Sequence, residues 1–161
     1  MSAGLVGVNN LVTNLLAAKS LGAGQVPDLA GYDSVTSEIR VSKSSRLDLK
    51  LTGQGLPDAF VEVKNCTLVE DGCARFPDAP TVRGQKHLQE LARLKADGAR
   101  AVIFFLVQRT DADRFSPADD IDPAYGRILR EVIEKGVEAI AYDVEISTHG
   151  IGLRRALPCV L

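Results

Sequence analysis

Two carboxylates and one lysine lie at a spacing that suits metal-assisted chemistry. Asp48 lies within residues 45–51, and Glu62 and Lys64 lie within residues 60–68. Polar and apolar residues alternate in both segments, which is the period typical of half-buried strands. Carboxylate oxygens are the ligands that Mg²⁺ prefers, and an ammonium group stabilises a developing anion. The three side chains therefore predict a metal-and-water site, provided that the two strands lie side by side.

Residues 52–58, which separate the two segments, are rich in turn-forming residues, so we expect a hairpin. On its first strand Arg46, Asp48 and Lys50 share one face, and the leucines that alternate with them share the other. Glu62 and Lys64 share a face of the second strand. Charged residues on the outer face of a strand are usually solvated, so the spacing alone leaves a purely structural role open. The specific string over residues 72–91 favours the functional interpretation.

A series of short motifs in one order carries a family resemblance that runs from residue 6 to the C-terminus. The motifs are VGVN (6–9), LAGY (29–32), SRLD (45–48), VEVKNCTL (61–68), FPDA (76–79), RGQKHL (83–88), AVIFF (101–105) and RFSP (114–117). In these motifs the chain resembles the sugar fermentation stimulation protein A (SfsA) family. Members of that family usually carry an N-terminal OB-like domain, so the resemblance implies that this chain corresponds to the C-terminal domain alone.

The resemblance also implies a fold and a function. The fold is α/β, the restriction-endonuclease-like PD-(D/E)xK fold, with a mixed central sheet flanked by helices. Carried over by position, Asp48 is the first acid of that motif, Glu62 the second acid and Lys64 the lysine. The family is described as DNA-binding and is tied to sugar metabolism. Nuclease activity follows from the fold class and not from the family name, so a DNA-binding regulator of sugar metabolism genes without cleavage stays an alternative.

We therefore interpret the chain as a nucleic-acid-binding domain with a Mg²⁺- or Mn²⁺-dependent phosphodiesterase site. In this interpretation Asp48 and Glu62 hold the cation, and the carbonyl of Val63 completes the coordination. Lys64 orients the attacking water and stabilises charge on the scissile phosphate. Glu38, on a preceding predicted strand, is a further candidate acid. The neutral alternatives are the side-chain oxygens of Asn9 and Asn14.

Several cations are candidates for contacts with a nucleic-acid backbone. Arg46 and Lys50 share the strand face of Asp48 and would neutralise flanking phosphates. Arg83 and Lys86 lie at the start of a predicted helix, where free N–H groups also favour an anion. Arg114 lies in a polar loop from which it would reach phosphate. A solvated helix face or loop is the alternative for each of these side chains, because surface cations need no function.

The elements that must position these residues follow from apolar spacing and from capping signals. We predict helices over residues 10–20, 81–97 with Thr81 as N-cap, and 122–135 with Asp122 as N-cap. Strands are predicted over 35–41, 45–51, 60–68, 101–107, 137–146 and 151–157, with loops over 69–80 and 108–120. The apolar run 101–107 predicts a central strand that is covered on both faces. His87, on the second helix, is interpreted as a structural histidine.

Length and composition limit the alternatives. With 161 residues, the chain suits a single domain over residues 1–161, with a loose end at residues 1–5. A net charge of −2 counts against tight autonomous DNA binding, because neutralising phosphates supplies most of the affinity for DNA. An interaction module without a nucleic-acid role is therefore a third interpretation.

The cysteines and the absence of long apolar runs bear on the location of the protein. Three cysteines without a Cys-x-x-Cys pair argue against a disulfide framework and against a zinc site. The sequence has no apolar run of membrane-spanning length and no secretory signal. We therefore expect a cytoplasmic protein with no membrane partner. Nuclease-like domains often need a dimer to cut two strands, so a homodimer is a further expectation.

Overall fold

The computed structural model describes residues 10–161, so the predicted loose end at residues 1–5 and the candidate ligand Asn9 lie outside the described residues. The elements, in chain order, are α1 (Asn10–Gly22), β1 (Ser34–Arg40), β2 (Arg46–Thr52), β3 (Ala59–Cys66), β4 (Leu68–Glu70), β5 (Cys73–Phe76), α2 (Val82–Ala96), β6 (Arg100–Val107), β7 (Arg114–Pro117), α3 (Pro123–Glu134), β8 (Glu138–Ser147) and β9 (Gly150–Leu157). A short 3₁₀ turn, Pro27–Leu29, lies between α1 and β1.

A mixed sheet of six strands forms the centre of the protein, in the order β1-β2-β3-β6-β8-β9. The strands β1, β2 and β3 are antiparallel neighbours, which confirms the predicted meander. The strands β3, β6 and β8 run parallel, and β9 returns antiparallel to β8. The strand β6 lies inside this sheet, and its residues from Ala101 to Val107 are all buried. The predicted fold class, a mixed central sheet flanked by helices, is confirmed.

Different helices cover the two faces of the sheet. Leu16 of α1 packs with Phe104 in one cluster of buried side chains. Leu88 of α2 and Leu129 of α3 pack with Phe105 in a second cluster. Because consecutive residues of a strand point to opposite faces, α1 lies on one side of β6, and α2 and α3 lie on the other. This two-sided burial explains why the sequence of β6 is continuously apolar.

The strand β2 contributes to both clusters. Leu49 and Leu51 pack in the cluster that contains α1, whereas Leu47 packs in the cluster that contains α2 and α3. The prediction that these alternating leucines form one apolar surface is therefore wrong at Leu47, which lies beyond the last residue pair that joins β2 to β3.

Side-chain caps determine where α2 and α3 begin. The Thr81 hydroxyl accepts a hydrogen bond from the N–H of Gly84 (2.9 Å), and Asp122 Oδ1 accepts one from the N–H of Tyr125 (3.0 Å). Asp122 Oδ2 accepts the N–H of Thr81 at 2.9 Å, so one buried carboxylate joins the starts of both helices. Burial alone would raise the pKa of Asp122, but these N–H donors outweigh burial and lower it. Both predicted N-caps are confirmed.

A second sheet of three strands, in the order β4-β5-β7, occupies segments predicted as turn and loop. The strands β4 and β5 form a hairpin across Asp71 and Gly72, whose φ angles are 51° and 77°. An Asp-Gly pair suits such a turn because both positions need a left-handed backbone. The strand β7 pairs parallel with β5. The loop predictions over 69–80 and 108–120 are wrong at these strands, since short strands carry little periodic pattern and depend on distant partners.

The helix α1 buries a different face from the one that its leucines suggest. The spacing of Leu11, Leu15 and Leu16 correctly predicts a helix, yet Leu11 and Leu15 are 68% and 62% exposed. The side chains that face the sheet are mostly small or polar. They are Thr13, Leu16, Ala17, Ser20 and Leu21.

The three α-helices within the described residues are short. The longest, α2, has 15 residues, and a membrane span needs about 20 apolar residues. Within residues 10–161, no helix combines the length and the apolar character needed to cross a membrane.

Replacing Asp122 with alanine should lower the free energy of unfolding by about 1–2 kcal/mol, because α3 loses its N-cap and the N–H of Thr81 loses its acceptor. A carboxyl with a lowered native pKa stabilises the fold above its unfolded-state pKa, and this stabilisation is lost as the pH falls through the native pKa. Urea denaturation at neutral and at acidic pH measures both effects. The control Asp113→Ala removes a 68% exposed carboxylate and should change stability by less than about 0.5 kcal/mol. Parent-like stability of Asp122→Ala at neutral pH would contradict the prediction.

Candidate metal and nucleic-acid site

The ladder between β2 and β3 stops where the two candidate carboxylates begin. Its last pair towards this end joins Leu49 to Val61. One step further, the N–H of Val63 donates to Asp48 Oδ2 (2.8 Å), and the N–H of Asp48 donates to Glu62 Oε2 (3.3 Å). Each carboxylate therefore accepts a hydrogen bond that a neighbouring strand would otherwise receive. The predicted hairpin is confirmed, and its open end holds both acids against the backbone.

Glu62, Lys64 and His87 form a closed group of three side chains. Lys64 Nζ donates to Glu62 Oε1 at 3.2 Å and lies 2.9 Å from His87 Nδ1. His87 Nδ1 in turn lies 3.2 Å from Glu62 Oε1. Glu62 and His87 are buried, with 4% and 6% of their surface exposed. Because a buried carboxylate is costly unless it is paired, Lys64 and His87 are what keeps Glu62 charged at this position.

The start of α1 contacts Asp48 directly. Asn14 Nδ2 donates to Asp48 Oδ1 at 3.0 Å. The neighbouring Thr13 hydroxyl accepts from Gln108 Nε2 (2.7 Å), and Gln108 is fully buried just after β6. This contact anchors α1 near the carboxyl end of β6 and places Asn14 beside Asp48. Asn14 contacts the carboxylate as a donor, so its use as an oxygen ligand stays a prediction.

A polar cavity of about 620 Å³ contains these groups, a volume within the range typical of ligand sites. The candidate acids and the candidate lysine line it, together with residues from α1, α2, β5 and the connecting loops. The lining residues are Asn10, Thr13, Asn14, Asp48, Glu62, Val63, Lys64, Asn65, Thr67, Phe76, Asp78, Arg83 and His87. The three predicted catalytic residues thus share one cavity.

Asp48 and Glu62 differ in their electrostatic surroundings. Burial, and next the charge of Glu62, raise the pKa of Asp48 to about 6, against a smaller opposing contribution from the N–H of Val63. Burial alone would also raise the pKa of Glu62, but the contact with His87 and the charge of Lys64 outweigh burial and lower it. Of these two carboxylates, Asp48 is therefore the one whose negative charge is less compensated.

The donor set fits a small, hard cation. Among residues 10–161, no group of three or more His, Cys, Asp or Glu side chains lies close enough to hold a metal ion. Mg²⁺ commonly takes one or two carboxylates and completes its coordination with water. Asp48 and Glu62, with the carbonyl of Val63, would hold such an ion, and the uncompensated charge of Asp48 favours it. A structural zinc site, which needs four closing ligands, does not fit.

Three of the predicted nucleic-acid-binding cations lie together. Arg46, Arg83 and Lys86 line a second cavity beside the first, and Arg83 lines both cavities. Lys86 Nζ also donates to the Ser44 hydroxyl at 2.9 Å, which joins α2 to the turn between β1 and β2.

The remaining candidates lie outside both cavities. Glu38 is exposed on β1 and has a left-handed backbone with φ of 55°. Lys50 lies 3.5 Å from Asp58 and over the ring of Phe60. Arg114 pairs with Asp113 and donates to a carbonyl of the β4–β5 turn, so its visible contacts are structural. Roles for Glu38, Lys50 and Arg114 in binding stay predictions.

His87 is the residue of this site whose contacts sequence reasoning did not identify. The structure agrees that His87 is buried and partnered, but its partners are Glu62 and Lys64. A signal was present, because His87 lies one helical turn before Leu91 on the buried stripe of α2. A histidine on an apolar stripe needs a polar partner beneath the helix.

Replacing Glu62 with glutamine should lower the pKa of Asp48 from about 6 towards the value of an isolated aspartate, because the repulsive neighbouring charge is removed. NMR titration of the Asp48 carboxyl carbon in the presence of a chelator measures the change. The control Lys135→Gln alters one exposed charge just after the end of α3 and should leave that pKa in place. An unchanged Asp48 titration in Glu62→Gln would show that the two carboxylates do not interact.

Comparisons with known proteins identify the family of this chain. A family model described as "Sugar fermentation stimulation protein RE domain" matches residues 11–150. The chain is 49% identical over 157 residues to the sugar fermentation stimulation protein homolog of Citrifermentans bemidjiense, covering 97% of this chain and 67% of that protein. It is 50% identical over 155 residues to the homolog of Pelobacter propionicus, covering 96% and 67%. The chain thus spans about two thirds of the length of these relatives.

The overall fold also matches a solved structure. SfsA of Pyrococcus furiosus, whose structure is described as a complex with Ca²⁺, superimposes with a TM-score of 0.91 at 31% sequence identity. The match covers 99% of this chain and 69% of that chain. The family model, the relatives and the fold agree, and the chain belongs to the sugar fermentation stimulation protein (SfsA) family.

Proposed function

We propose that this domain binds DNA and hydrolyses phosphodiester bonds with the help of Mg²⁺ or Mn²⁺. The observation that carries the proposal is the meeting of Asp48, Glu62 and Lys64 in one polar cavity, where backbone N–H groups hold the two carboxylates. Two acids for a metal and a lysine for developing charge are the groups that this hydrolysis uses. The arrangement corresponds to the acid, acid and lysine of the PD-(D/E)xK pattern.

Two of the comparisons support the proposal. The description of the family model contains the term RE domain, and the Pyrococcus furiosus relative is described as a complex with Ca²⁺. Ca²⁺ and Mg²⁺ are both hard cations that take oxygen ligands. A cation in the relative is therefore in keeping with Asp48 and Glu62 as ligands in this chain.

The residues of the site divide the work of hydrolysis. A bound Mg²⁺ supplies stabilisation of charge on the phosphate and lowers the pKa of a water molecule. Asp48 and Glu62 would hold the ion, and the hydrogen bonds that they accept from backbone N–H groups fix their positions. Glu62 and His87 together place Lys64, whose ammonium group orients the attacking water and stabilises the charge that develops on the phosphate.

A catalytically silent DNA-binding regulator of sugar metabolism genes is the second candidate function. The contacts of Lys64 support it, since its Nζ already has Glu62 Oε1 and His87 Nδ1 as partners within 3.2 Å. An ammonium group that is held in this way is less available to a scissile phosphate. Both functions use the same cations to bind DNA, so only a cleavage assay separates them.

Cleavage of labelled single- and double-stranded DNA and RNA in Mg²⁺ or Mn²⁺ tests the proposal. The parent should cleave DNA, and Asp48→Asn or Glu62→Gln should each lower the rate by about 100-fold or more, because a charged group of the site is lost. Asp58→Asn, which removes an exposed carboxylate at the turn end of the same hairpin, should cleave like the parent. DNA binding without cleavage by the parent would assign the domain to the regulator function.

Binding of Mn²⁺ tests the ligands independently of cleavage. Asp48→Asn and Glu62→Gln should each weaken Mn²⁺ binding by more than about tenfold without unfolding the domain, because the amides keep the size and shape of the side chains but lose the charge. Calorimetric titration measures the affinity, and a thermal melt checks the fold. Glu134→Gln serves as the matched variant, because it removes an exposed carboxylate of α3 outside the cavity and should leave the affinity unchanged. Parent-like Mn²⁺ binding in both site variants would refute the ligand assignment.

A further inference from the structure

A cavity of about 470 Å³ lies beside the metal site, between the turn that joins β1 to β2 and the start of α2. Five cations line this cavity: Arg40, Lys43, Arg46, Arg83 and Lys86. No Asp or Glu is among its lining residues. Arg83 and His87 line both this cavity and the metal site, so the two cavities are neighbours. We refer to the second cavity as the cationic pocket.

The arginines of the cationic pocket differ from every other arginine in the chain. All arginines lie between residues 40 and 155, within the described part, and each of the others forms a salt bridge with Asp or Glu. Only Arg40, Arg46 and Arg83 have no carboxylate partner among the described residues, and residues 1–9 contain no Asp or Glu. The arginines whose positive charge is not compensated by a carboxylate are thus concentrated in one pocket.

Ser45 provides an independent sign that the cationic pocket receives a ligand. It lines the pocket, only 5% of its surface is exposed, and its Oγ has no hydrogen-bond partner within residues 10–161. A buried hydroxyl is almost always hydrogen-bonded in native proteins. An oxyanion in the pocket would accept the hydrogen bond that Ser45 has available.

The turn that forms one wall of the cationic pocket is held in place before any ligand arrives. Arg40 donates to the carbonyls of Ser42 and Lys43 at 3.3 and 3.1 Å. Lys86 of α2 donates to the Ser44 hydroxyl at 2.9 Å. These contacts fix the shape of the wall and leave Arg46 and the ammonium group of Lys43 without a described partner. A preorganised wall lowers the cost of ordering the pocket when an anion binds.

We infer that the cationic pocket is a phosphate-binding subsite that takes a phosphate of the nucleic-acid strand next to the phosphate held at the metal site. Arginine and lysine are the side chains that recognise phosphate, and the positive end of α2 lies on the same side. The link to a strand rests on the proposed function, whereas binding of phosphate by the pocket does not. The phosphate is either a terminal monoester or an internal diester, and both share this chemistry.

Titration of the chelator-treated protein with inorganic phosphate, followed by NMR, tests the pocket itself. Saturable shifts should appear at residues 40–46 and 83–87. In a Lys43→Gln/Arg46→Gln double variant the phosphate Kd should rise about tenfold, since two of the cations are removed. The control Lys95→Gln/Lys135→Gln makes the same change in charge with exposed lysines outside the pocket, and it should bind phosphate like the parent. Ser45→Ala should weaken binding without loss of stability, because no protein group loses a partner.

The same variants, with short DNA strands that end in a 5′-phosphate or a 5′-hydroxyl, identify the source of the phosphate. If the pocket takes a strand end, only the phosphorylated strand should lose affinity in the double variant. If it takes an internal phosphate, the double variant should bind both strands more weakly and by the same factor. The slope of the logarithm of the binding constant against the logarithm of the salt concentration should then fall in magnitude by about one for each cation removed.

Two results have separate consequences. Absence of phosphate-induced shifts at the pocket in the parent, or an unchanged phosphate Kd in the double variant, would overturn the phosphate subsite. Binding of inorganic phosphate at the pocket without any DNA binding or cleavage would keep the subsite and overturn the proposed function.

Discussion

The exchange of hydrogen bonds between β2 and β3 is the constraint on which the site depends. Beyond the pair of Leu49 and Val61, the side chain of Asp48 binds the backbone of β3, and the side chain of Glu62 binds the backbone of β2. Because buried N–H groups must find acceptors, the two acids complete the sheet as well as the site. The distance between the two acids is therefore set by the positions of backbone N–H groups. These positions vary far less than the position of a side chain on an open surface.

Charge is distributed unevenly over a chain that is slightly acidic as a whole. Every arginine outside the site is paired with a carboxylate, and the positive charge in such a pair is largely neutralised. At the site the compensation is incomplete in both directions: Asp48 lacks a cation, and Arg40, Arg46 and Arg83 lack carboxylates. A carboxylate without a cation suits a divalent metal ion, and arginines without carboxylates suit a phosphate. The two groups of side chains line adjoining cavities. Net charge therefore does not describe what the site can bind.

Prediction from the sequence succeeded where a local pattern decides the structure. The strand β6 is continuously apolar because it is covered on both faces, and Thr81 and Asp122 cap helices through contacts only three residues away. It failed where distant partners decide, as in the short strands β5 and β7, which exist because they pair with each other. Prediction also failed to identify the buried face of α1. The spacing of its leucines suggests that Leu11 and Leu15 are buried, but both are exposed in the structure.

The amino-acid sequence by itself determined the hairpin and the candidate acids and lysine, because alternation along two neighbouring strands places Asp48, Glu62 and Lys64 by local geometry alone. Only the tertiary structure decided which side chains contact these groups and how those contacts shift the pKa values of the two acids. His87 reaches Glu62 and Lys64 from α2, and Asn14 reaches Asp48 from α1, across sequence separations that no periodicity encodes. The cationic pocket has the same origin, since a turn and a helix more than thirty residues apart in the chain line it together. Such neighbours are set by how the helices pack on the sheet, and packing depends on the whole chain.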